Sequence, residues 1–173
     1  MANTYQLIQA ETLSSSQATV AFTSIPQTYT DLVMLFSLRN NTGSNYAGNA
    51  FLTFNGTTSR YYEVLLYNAG GSLGSTSKSN VDPYLNWAAL SQGGGTSTWG
   101  NGQFYIPNYT SSNAKSISTD YIAEDNNADP WMMLNTGLWN PTTNAAITSM
   151  SFTTNSGQLV ANSTFYLYGI KNS

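Results

Sequence analysis

An all-β chain, folded as one antiparallel β-sandwich of about eight to ten short strands, is what this sequence predicts, and three observations carry the prediction. Short runs of alternating apolar and polar residues recur from Tyr5 to Ile170, which is the period of a half-buried strand. Clusters of Gly, Ser, Asn and Pro, residues that close turns, stand between those runs. No long stretch keeps a 3.6-residue apolar period behind a helix cap, so no long helix is expected to compete.

The elements follow in chain order. Tyr5 to Leu13 and Ala18 to Ser24 alternate well enough for a first hairpin about Ser14, Ser15 and Ser16. Ile25-Pro26 then turns the chain, because proline fixes φ and biases the residue before it towards extended geometry. Asp31 to Arg39 is the clearest strand. Leu32, Met34, Phe36 and Leu38 share one face and Val33, Leu35 and Ser37 the other, so burial on both faces and a central place in a sheet are predicted.

Ala50 to Phe54 is expected to pair with Tyr61 to Tyr67 as a hairpin across Asn55-Gly56, two residues that tolerate positive φ. Asn68 to Asn80 is rich in Gly and Ser and reads as a loop, Tyr84 to Leu90 as a strand or short helix, and Gly93-Gly94-Gly95 as a break. Gly102 to Ile106 and Ala114 to Ala123 read as two strands about a Pro107-Asn108 turn. Trp131 to Trp139 is a further strand, bulged or bent near Gly137. Ile147 to Thr154 and Thr164 to Ile170 flank a last polar turn containing Ser156-Gly157. No charged or Pro-rich linker divides residues 1–173, so a single domain is expected, jelly-roll-like or another Greek-key sandwich. Its extended N-terminal segment, residues 1–10, is expected to act as an anchoring or swapped strand.

Composition bounds the function. A domain of 173 residues hides about 70% of the surface of its unfolded chain, and Tyr 12, Phe 7 and Trp 4 provide large buried areas. Charged residues make up only 8%, against about 25% in an ordinary soluble domain. Ser, Thr and Asn fill over a third of the chain, and a surface of neutral polar groups depends little on ionic strength. The net charge of -3 and five scattered basic residues argue against nucleic acid as a partner, since phosphate binding needs clustered Lys and Arg. Cys is absent, which removes disulfides and thiolate metal sites. The N-terminus lacks a basic region followed by an apolar one, and no apolar run approaches about 18 residues, so neither signal-peptide export nor a membrane partner is expected.

Catalysis is not expected either. His is absent, and with it the commonest general base, metal ligand and activator of Ser or Cys nucleophiles. A glycosidase needs a carboxylate pair about 5 to 9 Å apart, and only eight Asp and Glu are available. Asp120, Glu124, Asp125 and Asp129 are close enough in sequence to offer hard oxygen ligands to Ca²⁺. They lack EF-hand spacing, and Asp- and Asn-rich loops more often close turns by bonding nearby backbone. No cofactor is expected, since Gly93-Gly94-Gly95 lacks the Gly-Lys-Ser or Gly-Lys-Thr of a phosphate loop. Trp87, Trp99, Trp131 and Trp139, with Tyr61, Tyr62 and Tyr109, could stack on sugar rings, but large aromatics on strands are more often core or subunit interface. Among them Trp99, lying between Gly-rich stretches, is the one expected to be exposed. Tyr5, Leu7, Trp99, Tyr109 and Trp131 are the candidate interface or ligand residues.

Four stretches together carry a resemblance: Phe22-Thr-Ser-Ile-Pro-Gln-Thr-Tyr-Thr-Asp-Leu-Val33, Phe54-Asn-Gly-Thr57, Phe104-Tyr-Ile-Pro-Asn-Tyr-Thr-Ser-Ser-Asn113 and Leu167-Tyr-Gly-Ile-Lys-Asn-Ser173. They resemble a group of virion structural proteins of tailed, often marine, bacteriophages, over nearly the whole chain and without a catalytic motif. The resemblance implies a β-sandwich on the particle surface, as a capsid decoration or cement protein, a head fibre or a tail appendage. The expected partners are further copies of the chain, as a homo-trimer, and capsid or tail/fibre proteins. Host-surface glycans are the partners in the alternative reading, a receptor- or carbohydrate-binding module on the virion that adheres to the host.

Overall fold

Apolar side chains at every second position favour strands, because an extended backbone sends them all to one face where they can be buried together. The computed structural model describes residues 4–41, 50–69, 71–81, 98–123, 131–143, 145–154 and 156–171. All regular structure among these residues is strand: β1 (Tyr5–Thr12), β2 (Thr19–Phe22), β3 (Asp31–Leu38), β4 (Ala50–Phe54), β5 (Tyr61–Ala69), β6 (Ser72–Val81), β7 (Gly100–Ile106), β8 (Lys115–Ala123), β9 (Trp131–Trp139), β10 (Met150–Thr154) and β11 (Thr164–Ile170). They form two antiparallel sheets, eight strands in the order β1-β11-β3-β7-β8-β9-β5-β6 and three in the order β2-β10-β4. The predicted sandwich is therefore present, with one sheet much wider than the other.

The three-stranded sheet lies on one face of the wide one, and phenylalanines hold the two together. Phe152 of β10 meets Phe165 of β11 at 5.3 Å, Phe104 of β7 at 5.5 Å and Phe36 of β3 at 5.6 Å between ring centres. Phe22 of β2 meets Phe165 at 6.2 Å, and Phe54 of β4 meets Trp139 of β9 at 5.4 Å. Edge-to-face and tilted pairs at such separations contribute about 0.5–1.5 kcal/mol each beyond area burial. Gly102 makes room for this seam, since a Cβ there would stand 2.5 Å from the Asp120 carbonyl oxygen and 2.7 Å from the Phe36 ring.

Pairing partners depart from the sequence expectation at both ends of the small sheet. β1 and β2 do not form a hairpin: β1 pairs with β11 and β2 with β10. Leu13 at the bend is buried, and its backbone bonds both Ser163 and Asn162, so the chain crosses between sheets there. From Tyr5 onward the N-terminal segment is the edge strand of its own chain's wide sheet. β4 and β5 do not form a hairpin either, since β4 pairs with β10 and β5 with β6 and β9. β10 and β11 likewise belong to different sheets.

Asn55 explains the second crossing. It adopts φ 51, its Oδ1 accepts bonds from the Thr148 and Ser149 amides at 2.9 and 3.1 Å, and its Nδ2 donates to the Ala146 carbonyl at 2.8 Å. Its side chain thus ties the end of β4 to the run before β10 instead of closing a turn on β5. Tyr61 completes the junction: its hydroxyl accepts from the Phe54 amide at 2.9 Å and donates to the Thr57 carbonyl at 3.1 Å.

Other expectations divide in the same way. β3 pairs on both sides, and β7 and β8 are adjacent antiparallel strands about residues 107–114. The Gly- and Ser-rich segment expected as a loop is β6, joined to β5 by a turn in which Gly71 has φ 80 and bonds Asn68 Oδ1. Gly137 interrupts no register; the irregularities fall between Leu7 and Gln9 of β1 and between Tyr61 and Glu63 on β5 opposite β6. Tyr84 to Leu90 and Gly93-Gly94-Gly95 lie outside the described residues.

Two stability outcomes follow. Phe152→Ala removes the ring at the centre of the seam, and urea denaturation is expected to show a loss of about 3–5 kcal/mol. Asn55→Ala strips three or more bonds from the β4 to β10 tether, and about 2–3 kcal/mol should be lost at about 1 kcal/mol per bond. An Asn55→Ala protein as stable as the parent in the same assay would contradict the sheet-crossing role.

Candidate interaction surface

Register divides the wide sheet into two faces with different chemistry. The inner face carries Leu32, Met34, Phe104, Ile117, Met133 and Leu167, all buried in the shared core. On the far side of the same strands stand the exposed large apolar side chains. β1 contributes Tyr5 and Leu7, β11 Tyr166, β3 Leu35 and β7 Tyr105; across the sheet β8 contributes Ile122, β9 Met132, Leu134 and Leu138, β5 Val64 and Leu66, and β6 Leu73. Every exposed large hydrophobic among the described residues belongs to this outer face. Scattered exposed apolar residues need no explanation, whereas a contiguous set on one face marks a contact surface.

The outer face has two unlike halves. On β1, β11, β3 and β7 it is rich in tyrosine: Tyr5 packs edge-on to Tyr168 at 6.4 Å, and Tyr105 donates from its hydroxyl to Asp31 Oδ2 at 2.8 Å. That hydrogen bond to Asp31 is the main cause that raises the Tyr105 phenol above its ordinary value. On β8, β9, β5 and β6 it is aliphatic, and Leu66, Leu73, Ile122, Met132 and Leu134 line a trough of about 540 Å³. The halves meet where Gln103 Nε2 donates to Asp120 Oδ1 at 2.7 Å.

A polar cluster lies on the inner face beneath the aliphatic half. Glu63 is buried, with Lys78 Nζ 3.6 Å from one carboxylate oxygen and Asn135 Nδ2 donating to the other at 3.3 Å. Thr119 Oγ1, Asn135 Oδ1 and the Tyr121 hydroxyl are buried without hydrogen-bond partners among the described residues. Burial pushes the Tyr61 and Tyr121 phenols well above their ordinary value. Lys115, fully buried behind Trp139, donates to the Ser111 and Asn113 carbonyls, and burial lowers its ammonium below the ordinary value. These contacts close the β7 to β8 connection.

The residues singled out from the sequence separate on these coordinates. Tyr5 and Leu7 stand on the outer face. Tyr109 does not: it is fully buried, its hydroxyl donates to the Pro26 carbonyl, and it packs in the core as large aromatics on a β framework usually do. Trp99, expected to be exposed, is half-buried, and Trp131 packs at the margin of the core. Trp139 and Tyr61 stack on each other inside. Of the calcium candidates, Asp120 lies on the outer face bonded to Gln103, while Glu124, Asp125 and Asp129 lie outside the described residues, as does Trp87. Val64, Leu66, Ile122, Met132 and Leu134 were not singled out; runs such as Val64-Leu65-Leu66 and Met132-Met133-Leu134 put apolar residues at both strand parities, which is the signal for a sheet contacted on both faces.

No protein-family model matches the chain, and no curated protein or solved structure matches it.

The buried phenols set an alkaline limit. Tyr61 and Tyr121 have folded values above the ordinary 10.0, so their contribution is complete below pH 10 and is lost above it, as the unfolded chain ionises first. Thermal melts should hold steady to about pH 9 and fall beyond about pH 10, with part of the tyrosinate absorbance appearing only on unfolding. Full tyrosine ionisation near pH 10 in a still-folded protein would contradict the burial of both phenols.

Proposed function

We propose that this protein is a structural component of a tailed-bacteriophage particle, a capsid decoration or fibre subunit that works by surface association. One observation carries the reading: the exposed large apolar side chains of the described residues gather on a single sheet face, with no other strand of the described residues laid upon it. Such a face is costly to leave in water, at about 25 cal/mol per Å² of apolar surface, and is relieved by docking. The family resemblance of the Phe22 to Val33, Phe54 to Thr57, Phe104 to Asn113 and Leu167 to Ser173 stretches supplies the particle context. The low charge suits it too, because a contact made by apolar area and neutral polar groups holds across wide changes of salt.

A second reading, glycan recognition at the host surface, draws on the exposed tyrosines of the outer face, since flat amphipathic rings suit sugar stacking.

Incorporation is the test. The parent chain should co-sediment with particles, and Leu134→Asp should reduce its bound fraction about tenfold or more, since a buried unpaired carboxylate costs at least a few kcal/mol. Equal incorporation of parent and variant would overturn the role of the face. Glycan-array binding that is lost in Tyr166→Ala, without particle association, would favour the second reading.

A further inference from the structure

The outer face reads as its own complement. One row of residues crosses it in register: Tyr166 opposite Leu35, Leu35 opposite Gln103, Gln103 opposite Asp120, Asp120 opposite Leu134, and Leu134 opposite Leu66. The row runs aromatic, aliphatic, amide on one half of the sheet and acid, aliphatic, aliphatic on the other. A two-fold axis along the strands between β7 and β8 lays this row upon its own reverse. Tyr166 then faces Leu66 of the second copy, Leu35 faces Leu134, and Gln103 faces Asp120.

From this pattern we infer that the occupant of the outer face is a second copy of this chain, docked face to face about that axis. The inference rests on the association role proposed above and names the partner. The reversal sets amide against acid, so the acid on the row never meets its own copy, and the like-charge juxtaposition that opposes association is avoided. It also sets the tyrosine-bearing half of each copy over the aliphatic trough of the other. Such reciprocity defines an isologous interface, and tyrosine is enriched at the core of interfaces.

Area is sufficient. The exposed large apolar residues of this face keep roughly half of their surface in water, and at about 150–250 Å² for a large side chain they offer on the order of 1,000 Å². A stable complex needs about 800 Å² per partner.

The sheet edges, by contrast, are guarded against pairing. β1 carries an extra residue at Ile8 between its pairings with Tyr168 and Leu167. β6 carries one between the partners of Tyr61 and Glu63, and turns Lys78 inward onto Glu63. Bulges and inward-pointing charges on edge strands are devices that block edge-to-edge addition. Association is thereby directed to the face, and the inferred assembly is a pair, where a trimer is the expectation from the sequence.

The test uses the full chain and two substitutions at exposed positions of the row. Sedimentation velocity should give a mass of twice 18.7 kDa. Leu66→Asp and Tyr166→Lys should each weaken the pair about tenfold or more while keeping the parent's melting temperature and circular dichroism. Mixing the two variants should restore association, because each mixed pair sets the new Asp against the new Lys at one contact and leaves the parent Tyr166 on Leu66 at the other. A parent that stays at 18.7 kDa at about 100 µM, well above ordinary reversible affinities, or that forms trimers, would overturn the inference, as would a mixture that fails to recover. A monomeric parent that still binds particles assigns the face to a capsid protein and leaves the structural reading standing. Pairs that bind no particle would strike that reading alone.

Discussion

The phenylalanine seam about Phe152 is the contact on which the rest of the molecule depends. β10 is the middle strand of the small sheet, and its central ring touches rings from β11, β7 and β3 of the wide sheet at once. Among the described residues three strands stand opposite eight, and Phe22, Phe54 and Phe152 of the small sheet are buried between the layers. The consequence is asymmetry. One face of the wide sheet gains a hydrophobic roof, and the other keeps exposed apolar side chains on which no other strand of the described residues lies.

That asymmetry links the unusual composition to the proposed role. Charged residues make up only 8%, and the described salt bridge, Glu63 with Lys78, sits on the inner face at the β6 edge. Ser, Thr and Asn supply most of the polar groups instead, as on β6, where Ser75 and Ser77 stand opposite Leu66 and Val64. Contacts made by apolar and neutral polar groups depend little on salt, and bulges and inward-pointing charge at the sheet edges disfavour open-ended strand addition.

Much of the strand content was legible and much of the pairing was not. β3, β7, β8, β9 and β11 alternate or run apolar over seven to nine residues, which local pattern captures. β6 holds only Leu73 and Val81 as apolar side chains, so it has no periodic signal; its strand comes from backbone bonds to β5 and from the Gly71 turn. The crossings at Leu13 and Asn55 have the local signature of hairpins because the same turn residues serve both. What decides between them is a distant partner, Ser163 for Leu13 and the 146–149 run for Asn55, and no local rule reaches over such separations. The exposed apolar face is half visible in the sequence: Tyr5 and Leu7 are among its candidate residues, whereas the both-parity apolar runs on β5 and β9 are not. Tyr109, an interface or ligand candidate by sequence, is packed in the core, where the Pro26 carbonyl satisfies its hydroxyl.

Two adjacent methionines test the two-faced sheet most directly. Met132 is 51% exposed on the outer face, while Met133, the next residue of β9, is 5% exposed against the core. Peroxide oxidation follows exposure of the thioether, so peptide mapping of the dilute protein should show Met132 converted to sulfoxide well before Met133, Met34 and Met150, with Met132 becoming protected as concentration rises. Met133 oxidising as fast as Met132 would contradict the account at its root, since the two faces of the sheet would then be chemically alike.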